Sequence, residues 1–296
     1  MSNLTLAIIG CGNMGTAILN GLLDSTSSST SESPSQPPIK HIIATTKTPS
    51  SATKLQSRFS THPSSHPITL TFLPHAATTA ATQAEIVILG CKPYLVDEVL
   101  VTPGLADALA GKLVVSIIAG KTLPVLSESI KKNQTETTSS KVKEKEKEEE
   151  KGTSGNENGT IVARAIPNIA ASVNESMTMI ETPESISPEQ TSLITYIFSS
   201  IGKTKILPPP TLRSGFHAHS LNRNSLRRRR WNLRWCLIGL GRLLQEGHHP
   251  AVLRENIASL RGCTIQGLLA IEQGGVRGAF AEGVMRGTGH LRKLQE

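Results

Sequence analysis

The chain has 296 residues, of which 38% are hydrophobic and only 3% aromatic, so its core is predicted to be aliphatic. This length is enough for one large or two moderate domains, and no stretch approaches the roughly 20 apolar residues of a membrane span. The formal charge is +8, but eight arginines between Thr211 and Gln245, where no acidic residue occurs, account for all of that excess. The charge is therefore local, and a nucleic-acid partner is not expected.

The four cysteines lie far apart in the chain and lack the spacing of a metal site: Cys11, Cys91, Cys236 and Cys263. They are predicted to be free thiols in a reducing compartment, and no metal site is expected. The N-terminus has no basic flank followed by a long apolar region, which is the pattern of a signal peptide. We therefore expect a cytoplasmic protein.

The first predicted elements are a short apolar strand from Leu4 and a helix, joined by the turn Gly10-Cys11-Gly12-Asn13-Met14-Gly15. A strand, a G-x-G-x-x-G turn and a helix in this order are typical of a dinucleotide-binding site. Gly10 is predicted to permit the tight turn, Gly12 to leave room for a pyrophosphate, and Gly15 to let the helix pack closely on the strand. The alternative is a purely structural turn between strand and helix.

The next strand is predicted at Ile39–Ala44, after a Ser/Thr/Pro-rich surface insertion near residues 25–38. It ends at Thr45-Thr46-Lys47, where no acidic residue is available for the ribose 2′-hydroxyl of NAD. The hydroxyl of Thr46 and the cation of Lys47 suit a 2′-phosphate, so NADPH is the predicted cofactor and NADH the other possible one. The alternative is that Lys47 is a solvated loop residue.

Further apolar strands are predicted at Ile68–Phe72, from Ala84 and from Lys112. Alternation of such strands with helices predicts a parallel sheet with helices on both faces. Ligands of parallel sheets lie beyond the carboxyl ends of the strands. Three strand ends are therefore predicted to line one crevice: Gly10–Gly15, Leu89–Pro93 and Ile118–Gly120.

A charged insert near residues 133–159 is expected to form a solvated helix or to be disordered. Three more strands and a helix are predicted beyond it, at Thr160–Ile166, Ser176–Ile180, Gly202–Leu207 (an edge strand) and Pro188–Ile201 (the helix). The predicted nucleotide-binding domain is thus 1–207, and 208–296 form a smaller helical domain.

Several segments are specific in combination: Ile8–Ala17, Ile86–Pro93, Val114–Gly120, Arg164–Asn168, His249–Leu253, Cys263–Leu268 and Glu272-x-Gly-x-x-Arg277. Together they resemble the pyrroline-5-carboxylate reductase family, and the chain looks like a fungal member of it. The resemblance implies a Rossmann domain followed by an all-α dimerisation domain, with a homodimer or larger homo-oligomer. It also implies reduction of 1-pyrroline-5-carboxylate, a small imino acid, to L-proline by hydride transfer from NADPH.

The resemblance further implies a role for each motif. Residues 10–15 would hold the pyrophosphate, and Thr46 and Lys47 would lie near the 2′-phosphate. Six residues would surround the nicotinamide and its ribose: Cys91, Lys92, Pro93, Ala119, Gly120 and Asn168. Backbone N–H and hydroxyl groups of a helix-start turn would bind the substrate carboxylate: Gly262, Cys263 and Thr264. No side chain is identified as a catalytic acid, because the imine can enter already protonated.

The chain departs from the family pattern at two places in its tail. Residues 211–240 replace an Ala/Gly-rich helix hairpin by an arginine-rich stretch, and family-like sequence returns near Gly241. We interpret this stretch as a shifted reading frame or a mis-joined exon. At the substrate turn, Leu260 and Arg261 replace Pro and Gly, and Arg261 either closes the turn badly or supplies a cation. We expect a sound cofactor domain with impaired or absent activity.

Two other functions remain open from the sequence. One is a different Rossmann reductase, of the β-hydroxyacid dehydrogenase type, which would need a catalytic lysine on a helix after the nucleotide domain; residues 211–245 contain none. The other is a catalytically inactive protein that binds NADPH, or an anion through Arg227–Arg230 with Trp231 and Trp235.

Overall fold

The computed structural model describes residues 3–27, 38–61, 68–141, 159–207, 223–258 and 263–293. Within these ranges the chain divides into two compact units, Met1–Leu243 and Leu244–Glu296. None of the described helices is both long enough and apolar enough to cross a membrane.

The first unit is built on one sheet. Its strands in chain order are β1 (Leu4–Ile9), β2 (Ile39–Thr46), β3 (Thr69–Pro74), β4 (Ile86–Leu89), β5 (Leu113–Ser116), β6 (Ile161–Ile166), β7 (Ser176–Glu181) and β8 (Gly202–Leu207). Its helices are α1 (Asn13–Ser27), α2 (Pro49–Phe59), α3 (Ala77–Gln83), α4 (Val96–Leu100), α5 (Leu105–Ala108), α6 (Leu123–Lys141) and α7 (Pro188–Ser199). Two 3-10 turns occur at Pro93–Leu95 and Ile169–Val173.

The last helices are longer on average and follow one another without strands. Helix α8 (Arg223–Gln245) contains the unit boundary, and the second unit continues with α9 (Pro250–Ile257), α10 (Cys263–Gln273) and α11 (Val276–Lys293). The arginine-rich stretch is therefore helical from Arg223, and residues 208–222 lie outside the described ranges.

The strand order of the sheet is β3-β2-β1-β4-β5-β6-β7-β8. Strands β1 to β6 pair in parallel, in the order that is characteristic of Rossmann domains. The predicted Rossmann-type sheet followed by a helical domain is confirmed, and β8 is the predicted edge strand. One feature was not predicted: β7 runs antiparallel to β6. Only residues 167–175 separate these two strands, and a parallel crossover needs about a dozen or more.

Side chains of the central strand β1 are buried on both faces of the sheet. Leu6 and Ile8 pack with α1, α2 and α7, whereas Ala7 and Ile9 pack with α3, α5 and α6. All four are at most 2% exposed. Strands buried on both faces read as continuous apolar runs in the sequence, which is why β1 and β4 are recognisable there.

Capping residues define where two of the helices begin. The Thr48 hydroxyl accepts a hydrogen bond from the Ser51 N–H, and Pro49 is the first residue of α2. At α7, Ser187 and Gln190 form a reciprocal capping box around Pro188. Both arrangements satisfy N–H groups that have no partner within the helix, and the fixed φ of proline suits the first helical position.

The two predicted insertions are only partly described. Residues 25–27 belong to the end of α1, and residues 28–37 lie outside the described ranges. Helix α6 continues to Lys141, and residues 142–158 lie outside as well.

The first compact unit extends to Leu243 rather than ending after β8, because the second half of α8 packs on it: Leu243 is fully buried, and Gly239 lies against Ala170. The division of the chain after residue 207 stays a prediction.

A buried ion pair joins the two strands at the antiparallel step. Arg164 on β6 and Glu181 on β7 are register partners, and Arg164 Nη1 lies 3.7 Å from Glu181 Oε2. Both side chains are about 6% exposed. Burial raises the pKa of the Glu181 carboxyl, and the nearby guanidinium opposes that rise. A buried charge is costly unless it is paired, so each member depends on the other.

We predict that Glu181→Ala lowers the free energy of unfolding of the full chain by about 3–5 kcal/mol, because it leaves a buried cation without this carboxylate. Urea unfolding followed by circular dichroism measures the loss. Glu184→Ala, at an exposed position three residues on, is the matched control and should change the free energy by less than about 0.5 kcal/mol. Equal effects of the two substitutions would contradict the assignment of this pair as a structural anchor.

Candidate active site

Gly10 brings the turn after β1 against the loop after β4. Its φ is +82°, a conformation that side chains with a Cβ rarely adopt. A Cβ on Gly10 would lie 2.8 Å from the backbone N of Cys91 and 2.9 Å from its Cα. Both the turn and the contact with the neighbouring loop therefore require glycine at this position.

The other two glycines of the motif have different surroundings. A Cβ on Gly12 would meet no atom within 4 Å, so this residue faces open space. A Cβ on Gly15 would lie 3.0 Å from Cys11 Sγ and 3.1 Å from Ile8 Cγ2, because α1 packs closely on β1. The three positions thus have the geometry that the sequence predicts: a tight turn, an open approach and a close helix–strand contact.

The start of α1 can bind an anion. The Gly12 carbonyl accepts hydrogen bonds from the Thr16 N–H and the Thr16 hydroxyl, both at 2.8 Å, and the helix begins at Asn13. The first N–H groups of a helix lack partners within it, and the helix dipole is positive at that end. With the open face of Gly12 beside them, these groups fit a diphosphate.

Cys11 anchors the turn to the end of β2 and to the core. Its N–H donates to the Thr45 carbonyl at 2.7 Å, which ties the turn to the end of β2. Its thiol is buried, and Sγ lies 4.0 Å from the Thr16 hydroxyl. Burial raises the pKa of this thiol to about 11, so it is protonated at neutral pH. The side chain is therefore part of the core next to the turn.

The end of β2 carries the buried hydroxyl of Thr46 and is followed by the exposed cation of Lys47. The Thr46 hydroxyl donates to the Thr48 carbonyl at 2.9 Å and is buried. Lys47, the next residue, is exposed, and its Nζ lies 3.4 Å from Glu98 Oε1 on α4. The cation proposed for a 2′-phosphate is thus already ion-paired with a carboxylate that the sequence analysis did not single out.

The loop after β4 carries three of the predicted residues. Cys91 is half-buried, and burial raises the pKa of its thiol to about 11. Lys92 is exposed, and Pro93 begins the 3-10 turn in which the Leu95 N–H donates to the Lys92 carbonyl at 2.9 Å. Lys92 and Pro93 are therefore at the surface of the site, next to the turn at Gly10.

The loops after β5 and β6 supply the remaining predicted residues. Ala119 and Gly120 are exposed, and a Cβ on Gly120 would meet no atom within 4 Å. Asn168 follows β6, and its Oδ1 accepts from the Ala170 N–H at 3.1 Å. Its Nδ2 lies 3.5 Å from Cys236 Sγ on α8, a contact that the sequence did not predict.

All of these groups lie at one edge of the sheet. They follow strands β1, β2, β4, β5 and β6, which are parallel and adjacent, so their carboxyl ends meet at the same edge. The chain order reverses between β1 and β4, and open α/β sheets bind their ligands at this kind of crevice. The structure therefore brings the predicted cofactor residues together, and their individual roles stay predictions.

The predicted substrate turn is only partly described. Gly262 lies outside the described ranges, as do Leu260 and Arg261; Cys263 and Thr264 begin α10, where Thr264 is half-buried.

The second unit also has a cavity of about 380 Å³. Its lining is Arg254, Glu255, Ile265, Leu268, Leu269, Glu272 and Arg277. Glu272 forms ion pairs with Arg254 and with Arg277, so the two ends of the predicted Glu272/Arg277 motif contact each other.

Two family models match the chain. The one described as "NADP oxidoreductase coenzyme F420-dependent" matches residues 5–120, and the one described as "Pyrroline-5-carboxylate reductase dimerisation" matches residues 233–294. The second match begins upstream of Gly241, within the stretch that was predicted to be atypical. Family-like sequence is therefore present from residue 233.

The chain is similar along almost its whole length to curated pyrroline-5-carboxylate reductases. It is 36% identical to that of Neurospora crassa and 35% identical to that of Lophium arboricola; each alignment covers 97% of this chain and 92% of the relative. The solved pyrroline-5-carboxylate reductase of Coxiella burnetii has the same fold, with a TM-score of 0.51 at 18% identity, over 95% of this chain and 94% of that one. The resemblance seen in the sequence is confirmed: the chain belongs to the pyrroline-5-carboxylate reductase family of oxidoreductases.

Proposed function

We propose that this protein reduces 1-pyrroline-5-carboxylate to L-proline with a hydride from NADPH. The observation that carries the proposal is the open face of Gly12 beside the start of α1, at the sheet edge where the loops after β4, β5 and β6 meet. The family of the chain supports the reaction class, and the glycine turn supports a dinucleotide cofactor.

The residues of the site would contribute position and electrostatics. N–H groups at the start of α1 would bind the diphosphate, and the exposed backbone at Ala119 and Gly120 leaves room for a flat ring. Thr264, at the start of α10, would bind the substrate carboxylate. A bound reduced nicotinamide supplies the hydride that the imine carbon accepts, and the imine nitrogen gains a proton. We assign no residue to that proton transfer.

NADPH is the proposed cofactor because of the charges after β2. The residues there are Thr45, Thr46 and Lys47, so the strand end carries no carboxylate of its own for a ribose 2′-hydroxyl. The Lys47 ammonium is exposed, so an anion that lies beyond the end of β2 can approach it. NADH would bind through the same diphosphate site without this cation.

We further propose that the chain forms a homodimer or larger homo-oligomer through its second unit. Helix α11 exposes Val276, Phe280 and Val284, which are four residues apart and so lie along one face; Phe280 is 75% exposed. Contiguous exposed apolar faces of this kind mark interaction sites. The match of residues 233–294 to a dimerisation domain supports the same role.

Two further assignments belong to the proposal. Residues 1–207 would form the cofactor domain and 208–296 the substrate and dimerisation domain, with an atypical stretch that ends at residue 232, before the dimerisation match. The protein would act in the cytoplasm, which agrees with the free thiols at Cys11, Cys91 and Cys236.

We predict that Gly12→Val weakens NADPH binding by roughly 100-fold, because the side chain fills the approach to the helix start and removes charge-assisted hydrogen bonds. Titration of nicotinamide fluorescence measures the change. The variant should fold, since a Cβ at this position meets no atom within 4 Å, and replacement of the glycine before the helix should cost no more than about 1 kcal/mol. Unchanged NADPH affinity in the folded variant would refute the diphosphate site.

We also predict that activity is limited by residues 211–232, upstream of the dimerisation match. Replacing them by the aligned segment of the Neurospora crassa relative should increase both the dimer fraction and the rate of NADPH oxidation. Absorbance at 340 nm with pyrroline-5-carboxylate measures the rate, and light scattering measures the dimer. The control replaces the same residues by a glycine/serine linker of equal length. Lack of activity in the unaltered and the repaired chains alike would reject the proposed reaction.

A further inference from the structure

Two adjacent carboxylates at the start of α4 form ion pairs across the crevice edge. Glu98 Oε1 lies 3.4 Å from Lys47 Nζ, and Asp97 Oδ2 lies 3.5 Å from Lys121 Nζ. Lys47 follows β2, whereas Lys121 follows β5. Strands β1 and β4, whose loops form the glycine turn and its neighbour, lie between those two strands. Helix α4 is therefore linked by charge to both sides of the proposed dinucleotide site.

Lys47 can readily exchange Glu98 for another anionic partner. The two side chains are 64% and 65% exposed, and ion pairs between exposed side chains are weak. A phosphate monoester carries nearly two negative charges at neutral pH and binds an ammonium more strongly than a carboxylate does. A 2′-phosphate that reaches Lys47 would therefore displace Glu98, and the freed carboxylate would stay close to the bound phosphate.

Glu98 also brings a carboxylate near the end of β2, where it is paired with Lys47 and is not assigned to the ribose 2′-hydroxyl. In NAD-binding Rossmann domains a carboxylate near the end of the second strand binds the ribose 2′-hydroxyl. Here the strand end has Thr46 and Lys47, and the carboxylate next to Lys47 comes from a different part of the chain. Such a carboxylate is compatible with a 2′-hydroxyl and repels a 2′-phosphate.

We propose that Glu98 is a specificity-determining residue that reduces the preference of this enzyme for NADPH over NADH by pairing with Lys47. The inference rests on the proposed function, because it assigns Lys47 to the 2′-phosphate. Removal of the carboxylate frees the cation for the phosphate and removes a repulsive charge beside it. Neither change affects a cofactor that lacks the phosphate.

The test measures dissociation constants of NADPH and NADH by fluorescence titration of the full chain at low ionic strength. Glu98→Gln should tighten NADPH binding by roughly two- to fivefold, the range expected for weak exposed charge interactions, and change NADH binding by less than about 1.5-fold. Lys47→Gln should weaken NADPH binding and leave NADH binding unchanged. In about 0.5 M salt the increase in NADPH affinity caused by Glu98→Gln should become smaller, because screening weakens interactions between exposed charges.

Asp97→Asn is the matched control. It removes one negative charge from the adjacent residue of the same helix, but that carboxylate is paired with Lys121. A selectivity change in Glu98→Gln that Asp97→Asn does not reproduce supports the inference. The inference is overturned if Glu98→Gln leaves NADPH binding unchanged, if it alters both cofactors equally, or if Asp97→Asn has the same effect. A wild-type chain that binds neither dinucleotide overturns the proposed function instead, and the inference with it.

Discussion

The site depends on one close contact, between the turn after β1 and the loop after β4. Gly10 has a φ of +82°, and a Cβ on this residue would collide with the backbone of Cys91. This contact lies where the chain order of the sheet reverses. It fixes the direction in which α1 leaves the sheet, and with it the position of the N–H groups that would bind a diphosphate. The loops after β2, β5 and β6 complete an edge that this contact has already defined.

The parts of the fold that follow from local sequence were predictable. Apolar strands buried on both faces, the glycine turn and the edge strand β8 are visible as residue patterns. The reversal at β7 also has a local cause, the short link of residues 167–175, and so could have been predicted. The Lys47–Glu98 pair could not: it joins residues 51 positions apart, on surface segments that come together only when the sheet forms. The same holds for the contact between Asn168 and Cys236.

Helix α8 shows why composition is a poor guide to packing. Averaged over residues 211–240, the sequence is arginine-rich and was interpreted as foreign to the family. Packing depends on individual positions at helical spacing, and Cys236, Gly239 and Leu243 lie along one face of α8. Cys236 contacts Asn168, a Cβ on Gly239 would lie 2.4 Å from Ala170 Cβ, and Leu243 is fully buried. Family-like sequence in the tail begins at residue 233, upstream of Gly241.

The proposed function requires a reduced nicotinamide dinucleotide to bind along the carboxyl edge of the sheet, with its diphosphate at the start of α1. Amide hydrogen exchange of the full chain, with and without saturating NADPH, tests it most directly. We predict slower exchange at the start of α1, residues 12–15, and in the loop after β5, residues 117–121. Slower exchange confined to other parts of the chain, with both of these segments unchanged, would contradict it.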